Sequence, residues 1–225
     1  MSLGIVIQAR MGSTRLPGKV LRPIAGRPLL EHVIGRLALS RHEAGVVAAT
    51  STLAQDDAIQ AWCQAAGVQC FRGDEADVLD RYLRCAEAFG FTRIVRLTAD
   101  NPFTDIAELD RLIDFQASAN LDYAHSFGMM PIGVGAEIFT LNALRRSHVE
   151  GLQPHHREHV NEYMLEHPEI FRSAVLDIPA EKRAPELRLT VDTEDDWTRA
   201  NALAASAGRG WLGTEEAMAL CSRSA

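Results

Sequence analysis

The chain has 225 residues, of which 47% are hydrophobic and 24% are charged, the balance of a globular protein with a full core. Its formal net charge of -7 at pH 7 argues against a large nucleic-acid footprint, because phosphate backbones demand a basic face. A small anionic ligand is compatible with this charge, since it needs only local positive charge. The length predicts one domain over residues 1–225.

The cysteines form neither a C-x-x-C pair nor a metal-ligand spacing; they are Cys63, Cys70, Cys85 and Cys221. They fall within apolar patterns, so we expect buried free thiols in a reducing compartment, with a catalytic cysteine as a weaker alternative. The sequence shows no basic-then-apolar signal peptide and no apolar run of membrane-spanning length. It therefore predicts a cytoplasmic protein with no membrane partner.

Strand and helix signals alternate through the first half of the chain. The predicted strands are short apolar runs at residues 3–8, 45–50, 69–72 and 93–98. The predicted helices carry apolar residues at helical spacing and cover 28–37, a segment from about 57 through 66, 76–89 and 106–117. This order calls for an α/β fold with a mostly parallel sheet and helices on both faces.

The second half is less regular. Its predicted strands are residues 123–126, 136–139, 171–178 and 187–191. Its predicted helices are 141–149, 156–166 and one that begins near 194. Residues 128–185 are a candidate insertion that covers a substrate or forms a dimer.

The first predicted strand leads directly into a glycine-containing loop with the cations Arg10, Arg15 and Lys19. Loops at the carboxyl end of a first strand bind ligands in open α/β sheets, and these cations suit a polyphosphate. The spacing excludes a P-loop, because five residues separate Gly12 and Gly18 and neither Ser nor Thr follows the lysine. The alternative is a solvated basic loop.

Two further predicted strands each end at an aspartate, Asp100 in one case and Asp192 in the other. Mg²⁺ bound with a nucleotide takes one or two protein carboxylates, so the two residues could converge on one ion. The alternative is helix capping, by Asp100 before Asp105 and by Asp192 or Thr193 before the late helix.

Residues 155–159 read His-His-Arg-Glu-His, with His155 and His159 on one face of the predicted helix. Such a pair could suit a transition metal, but the order is not H-E-x-x-H. A polar patch that contacts the substrate or a partner subunit is the favoured interpretation.

A further polar group follows the predicted strand at 69–72: Arg72-Gly-Asp74, then Asp77 and Arg81. Arg81 could pair with Asp77 across one helical turn as ordinary surface support. The sequence contains no G-x-S-x-G nucleophile elbow, which argues against a Ser-His-Asp hydrolase.

Residues 7–19, IQARMGSTRLPGK, resemble the nucleotide-binding signature of cytidylyltransferases in the spore-coat-polysaccharide and acylneuraminate group. The similarity continues in chain order through almost the whole sequence, at residues 49–51 with 56–57, 71–74 with 77–81, 96–100, 157–160 and 190–193.

This resemblance implies a Rossmann-like, three-layer nucleotidyltransferase fold of the GT-A-like type, with a mixed, mostly parallel sheet and a small insertion at 128–185. It implies that CTP and Mg²⁺ bind at the end of the sheet, in a protein that is commonly a homodimer through that insertion. The triphosphate residues would be Arg10, Ser13, Arg15 and Lys19, and the metal ligands Asp100 and Asp192. The base would lie near Ala9, Thr50, Ser51, Arg72, Asp77 and Arg81.

The reaction implied by the resemblance is attack of a hydroxyl of an acidic sugar on the α-phosphate of CTP, with release of pyrophosphate, in cell-surface polysaccharide biosynthesis. One segment departs from the pattern: residues 131–137 read PIGVGAE, where the spore-coat group often has PRGLDVE. This leaves the acceptor open. The rivals are a sugar-1-phosphate nucleotidyltransferase, a glycosyltransferase, which the missing D-x-D element disfavours, and a non-catalytic nucleotide-binding subunit.

Overall fold

Strands from both halves of the chain share one sheet. The computed structural model describes residues 2–208 and 210–223. The strands in chain order are β1 (Leu3–Gln8), β2 (Pro23–Ile24), β3 (Arg27–Pro28), β4 (Gly45–Ser51), β5 (Gln69–Gly73), β6 (Arg93–Thr98), β7 (Tyr123–His125), β8 (Glu137–Thr140) and β9 (Ser173–Val175).

In the described part of the chain, the large sheet has seven strands in the order β5-β4-β1-β6-β8-β7-β9. Neighbours β5, β4, β1 and β6 are parallel, β8 is antiparallel to β6 and β7, and β9 is parallel to β7. The register sets Gln8 opposite both Ala49 and Thr98, so the carboxyl ends of β1, β4 and β6 meet at one edge. The predicted mixed, mostly parallel α/β sheet is confirmed.

The helices connect these strands and pack on the sheet. They are α1 (Leu29–Arg36), α2 (Asp57–Ala66), α3 (Val78–Ala88), α4 (Ile106–Ser118), α5 (Leu141–Glu150), α6 (Pro154–Glu158), α7 (Glu162–Glu166), α8 (Glu194–Ser206) and α9 (Thr214–Arg223). Side-chain caps fix four of their starts: Asp77 accepts from Asp80 N, Asp105 from Glu108 N, Thr140 from Ala143 N, and Thr193 from Asp196 N.

The alternation of side chains along β1 creates the three layers. Ile5 and Ile7 join one buried cluster with residues of α1, α2, α4 and α8, whereas Val6 joins another with residues of α3 and α5. A strand that is covered on both faces reads as a continuous apolar run, as residues 3–7 do apart from Gly4. Full burial of each large apolar side chain contributes about 1.5–3 kcal/mol to folding.

Three predicted elements differ in the structure. Residues 187–191 form no strand but one bridge, between Arg188 and Ile132, because Leu187 and Leu189 hydrogen-bond to the loop at Ile132. The predicted helix at 156–166 is two short helices, since His159 has extended dihedral angles. Of the strand predicted at 171–178, residues 173–175 form β9 and the others lie outside it.

A short hairpin was missed by the sequence patterns. β2 and β3 pair antiparallel around Ala25 and Gly26, both with positive φ, as two-residue hairpin turns require. Pro28 consequently ends β3 and precedes α1 as its N-cap, rather than lying in the first helical turn.

The cysteines are free thiols, as predicted, although only two of them are buried: Cys63 and Cys85 lie in the core, whereas Cys70 and Cys221 are half-buried. None of the helices described for this chain is long and apolar enough to cross a membrane.

Candidate active site

The loop after β1 is tied down by a buried carboxylate. Asp56 accepts hydrogen bonds from the backbone N–H of Met11 at 2.7 Å and of Ser51 at 3.1 Å, and from the Ser51 hydroxyl. Burial alone would raise the pKa of Asp56, but these donors hold it below the usual value. Gly18, at φ 70°, closes the loop by donating to Met11 O. The loop is therefore held in one shape before any ligand binds.

Lys19 begins the short helix that follows this loop, and its side chain is 8% exposed. Its ammonium donates to Asp100 Oδ2 at 2.8 Å, Asp192 Oδ1 at 2.9 Å and Val191 O at 2.8 Å. The convergence of the two aspartates, which spacing alone leaves open, is thus a feature of the fold.

Neighbouring side chains orient each aspartate. Thr98 Oγ1 donates to Asp100 Oδ1 at 2.6 Å, at the end of β6. Asp192 pairs with Arg15 at 3.0 Å and with Arg188. Burial opposes ionisation of Asp192, but the hydrogen bond and charge of Lys19, with the two arginines, lower its pKa. Asp192 is therefore a carboxylate at neutral pH.

Of the capping alternatives, the one for Thr193 is confirmed, and those for Asp100 and Asp192 are wrong. The residue that caps α4 is Asp105, and the residue that caps α8 is Thr193. Asp196 completes the second cap by accepting from the backbone of Asp192 and Thr193. The side chains of Asp100 and Asp192 are left to face Lys19.

A polar cavity of about 210 Å³ lies in front of the aspartates. We call it the first cavity; it is lined by Gln8, Arg10, Gly12, Ser13, Thr14, Arg15, Lys19, Val20, Thr98, Ala99, Asp100 and Asp192. It brings together all the residues that the sequence suggested for the triphosphate and the metal. Its lining combines backbone, hydroxyl and cationic donors with two carboxylates.

A second cavity of about 810 Å³ adjoins the first. The two share Gln8, Arg10, Thr98 and Asp100, and the rest of the second is lined by Asp74, Glu75, Ala76, Asp77, Val78, Arg96, Pro154, Arg157, Glu158 and His159. Arg10 and Asp100 therefore stand where the two spaces meet.

A buried ion pair supports the floor of the second cavity. Glu137, on β8, is fully buried; it pairs with Arg96 and accepts from Tyr123 Oη at 2.8 Å. Burial opposes the charge of Arg96, but Glu137 outweighs it and raises the pKa of the guanidinium. Arg96 in turn donates to Gln8 Oε1 at 3.2 Å. The network holds Gln8 and Arg96 in place at the sheet edge.

The family model described as "Cytidylyltransferase" matches residues 4–212. This chain belongs to the cytidylyltransferase family. The cytidylyltransferase is 40% identical over 208 residues to the spore coat polysaccharide biosynthesis protein SpsF of Bacillus subtilis (strain 168), covering 90% of this chain and 86% of that protein.

Two solved structures are similar to the cytidylyltransferase in fold. A cytidylyltransferase from Leptospira borgpetersenii serovar Hardjo-bovis (strain JB197) aligns with a TM-score of 0.92 at 31% identity, covering 100% of this chain and 95% of that one. CMP:2-keto-3-deoxy-manno-octonic acid synthetase complexed with CTP aligns with a TM-score of 0.68 at 20% identity, covering 92% of this chain and 99% of that one. The predicted nucleotidyltransferase fold is confirmed.

Several residues suggested for the base of the nucleotide lie behind the cavities of the cytidylyltransferase. Arg72 points to α2 and donates to Ser51 O at 2.9 Å and to Asp57 at 2.6 Å. Ala9, Thr50 and Ser51 are buried in the sheet edge. Of the suggested base residues, Asp77 is the one that lines the second cavity.

The predicted surface pair between Arg81 and Asp77 is wrong. Arg81 is 1% exposed and donates from Nη1 to the backbone oxygens of Asp74 and Glu75, because α3 turns it inward under the loop. Asp77 instead caps α3 and lies 3.4 Å from Arg157. Within the described chain, Nε and Nη2 of Arg81 are buried without a hydrogen-bond partner.

The predicted pairing of His155 with His159 is also wrong. Helix α6 ends at Glu158, so His159 leaves the helix and lines the second cavity. Sequence reasoning missed the roles of Gln8, Asp56 and Arg188. The signal for Gln8 was available, since it is the last residue of a buried strand that enters the ligand loop.

Proposed function

We propose that this cytidylyltransferase transfers CMP from CTP to a hydroxyl group of an acidic sugar and releases pyrophosphate, in cell-surface polysaccharide biosynthesis. The observation that carries the proposal is the convergence of Asp100 and Asp192 on one cationic atom, Lys19 Nζ, beside a cavity that holds Arg10 and Arg15. Carboxylates and cations on facing walls are the pattern that a metal-bound triphosphate requires.

The residues at this point fit a magnesium ion. Three oxygen atoms, from Asp100, Asp192 and the backbone of Val191, surround the Lys19 ammonium at 2.8–2.9 Å, so the fold already accommodates positive charge there. All-oxygen ligands are those Mg²⁺ prefers. Asp100 and Asp192 would hold the ion. When bound, it supplies charge neutralisation at the phosphates and lowers the pKa of a coordinated hydroxyl.

The cations of the first cavity have a separate task in the reaction. Arg10, Arg15 and Lys19 would bind the β- and γ-phosphates and stabilise the charge of the departing pyrophosphate. The side chain of Arg15 is 61% exposed, so it can change its conformation when a triphosphate binds. In-line transfer of this type depends on positioning and charge stabilisation rather than on a covalent nucleophile.

The second cavity is the proposed site of the acceptor. Its wall carries Arg157 and His159, with Arg96 on the floor, and these donors suit the carboxylate and hydroxyls of an acidic sugar. The cavity meets the first at Arg10 and Asp100, so an acceptor hydroxyl would approach the α-phosphate from this side.

Two of the altered residues in the segment 131–137, Ile132 and Gly135, line a different cavity of about 310 Å³, whereas Glu137, which the two patterns share, pairs with Arg96 at the second cavity. A Cβ at Gly135 would lie 2.9 Å from Phe127 Cδ1, and one at Gly133 2.6 Å from Thr190 N. Gly133 therefore packs against the segment that carries Thr190, and Gly135 packs against Phe127. Neither glycine is among the residues that line the proposed acceptor cavity.

The test is pyrophosphate release with Mg²⁺, with CTP, ATP, GTP and UTP each offered against acidic sugars and sugar 1-phosphates. We expect CTP-dependent release with an acidic sugar, and loss of release in Asp100→Asn. Release with a sugar 1-phosphate alone would favour the sugar-1-phosphate nucleotidyltransferase alternative. CTP binding without turnover on any acceptor would favour the non-catalytic alternative.

We also propose a homodimer formed through residues 149–175. Val149 and Leu152 are each 72% exposed and Val175 is 55% exposed, on the segment that ends in the edge strand β9. Exposed apolar side chains and an open strand edge are features that association covers. In sedimentation analysis, Leu152→Glu should shift a dimer towards monomer, whereas Leu39→Glu, at a residue 60% exposed elsewhere, should not.

A further inference from the structure

Two histidines and a glutamate face one another outside the two cavities. His155 and His156 lie on α6, and Glu166 is the last residue of α7. His155 Nε2 is 2.8 Å from Glu166 Oε1, and His156 Nε2 is 2.7 Å from Glu166 Oε2. One ligand atom from each of the three side chains lies within 4.8 Å of the others. Two imidazoles and a carboxylate form the donor set typical of open zinc sites.

Packing fixes one of these ligands before any ion arrives. The side chain of His156 is 6% exposed, and its ring packs edge-on against Tyr163 at a centroid distance of 5.2 Å. The ring of His155 lies 4.1 Å from that of His156. The side chains of His155 and Glu166 are 48% and 44% exposed, so the cluster has a buried base and an open mouth. An ion can enter from water without any unfolding.

We propose that His155, His156 and Glu166 bind a Zn²⁺ ion, with water in the remaining position. In the free protein, Gln153 N donates to His156 Nδ1 at 3.2 Å, so the His156 proton is on Nε2 and is donated to Glu166. Zinc on Nε2 requires that proton to move to Nδ1, and the Gln153 hydrogen bond is then lost. The site therefore binds zinc less tightly than a closed four-ligand site would.

Zinc at this point would join α6 to α7 across the chain reversal at residues 159–161. Helix α6 also carries Arg157, and His159 follows it directly, so the same short segment forms a wall of the second cavity. The ion would hold that segment in place. Binding itself does not depend on the proposed transferase reaction, so the two proposals can fail separately.

The experiment is equilibrium dialysis of the tag-free, chelator-treated full chain against zinc chloride, with excess Mg²⁺ to occupy all-oxygen sites. We expect one zinc ion per chain with a dissociation constant of about 10 µM or lower. His155→Gln and Glu166→Gln should each weaken this binding by about tenfold or more, and both change side chains that are about half exposed.

The matched control is His167→Gln, because His167 pairs with Glu169 at 2.9 Å on the same surface but has no second histidine partner in the candidate cluster. It should bind zinc as the wild type does. Co²⁺ in place of zinc should give visible absorption bands of a four-coordinate site, and these should be absent in His155→Gln. Equal zinc binding by wild type and His155→Gln, or no binding by wild type, would overturn the proposal.

Discussion

The ammonium of Lys19 lies 2.8 Å from Oδ2 of Asp100, although 81 residues separate the two in the chain. The same ammonium reaches Asp192 at 2.9 Å, so one buried cation pairs with two carboxylates, of which Asp192 also pairs with Arg15 and Arg188. Loss of Lys19 would remove the described ion pair of Asp100 and one of the three ion pairs of Asp192, so at the proposed metal site we expect Lys19 to couple stability to metal affinity.

Lys19→Ala should abolish pyrophosphate release and strengthen the response of the protein to Mg²⁺. Without the ammonium, the negative charges of Asp100 and Asp192 repel each other, and stability should fall. We expect a moderate loss of about 1–3 kcal/mol, because both carboxylates keep some contact with water. A divalent ion would relieve that repulsion. Millimolar Mg²⁺ should therefore raise the Tm of the variant by about 2–4 °C more than that of wild type. Equal shifts in differential scanning fluorimetry would contradict the placement of the ion between these carboxylates.

Asp192→Asn should reduce kcat/KM for CTP by about 100-fold or more, because the variant loses a proposed metal ligand and a partner of Lys19 and Arg15. Asp195→Asn, three residues along and exposed on α8, is the matched control and should retain wild-type activity. Steady-state pyrophosphate release measures both. A similar loss in the two variants would point to general charge effects instead.

Much of the site was predictable because parallel strands deliver their carboxyl ends to one edge. The apolar runs at β1 and β6 set that edge, and Arg10, Arg15, Lys19 and Asp100 follow from it directly. The apolar run at β1 also predicts a strand covered on both faces, and Ile5, Val6 and Ile7 do alternate between two buried clusters.

The remaining features of the fold and the site depend on contacts that the spacing of residues in the sequence does not encode. Arg81 looked like a surface residue at helical spacing, yet the loop at Asp74 closes over it and buries it. The segment 187–191 has the composition of a strand, but it pairs with a loop at Ile132 and delivers Asp192 without joining the sheet. Such partners come from long-range packing, which one sequence alone does not reveal.

Asp56→Asn should destabilise the protein in a pH-dependent way. The pKa of Asp56 is lower in the folded protein than its usual value of 3.8, so its contribution to stability is complete above that value and is lost as pH falls through the folded pKa. The NH2 group of an asparagine side chain would face the backbone N–H of Met11 or of Ser51, so that two donors meet and neither finds an acceptor. The expected loss of stability is about 1–3 kcal/mol at neutral pH.

The measurement is urea unfolding of wild type and Asp56→Asn at pH 7 and again near pH 3. The difference in free energy of unfolding should shrink at the lower pH, because the unfolded wild-type chain takes up a proton at Asp56 below the usual pKa of 3.8, and this removes part of the stability that the charged form contributes. The control is Asp57→Asn, since Asp57 is exposed and its described ion pair is with Arg72. It should change stability by less than about 0.5 kcal/mol at either pH.

Arg157→Ala should raise KM for the acidic acceptor by about tenfold or more while leaving KM for CTP within about twofold. Arg157 reaches the second cavity from α6, where Nη2 donates to His148 O at 2.9 Å and Nη1 lies 3.4 Å from Asp77 Oδ2. It does not line the first cavity, so under the proposed placement its charge would act on the acceptor rather than on the triphosphate. Arg145→Ala, at an exposed arginine on α5 that pairs with Glu87, should change neither constant. If KM for CTP rose instead, the second cavity would belong to the nucleotide, and the acceptor would have to approach from elsewhere.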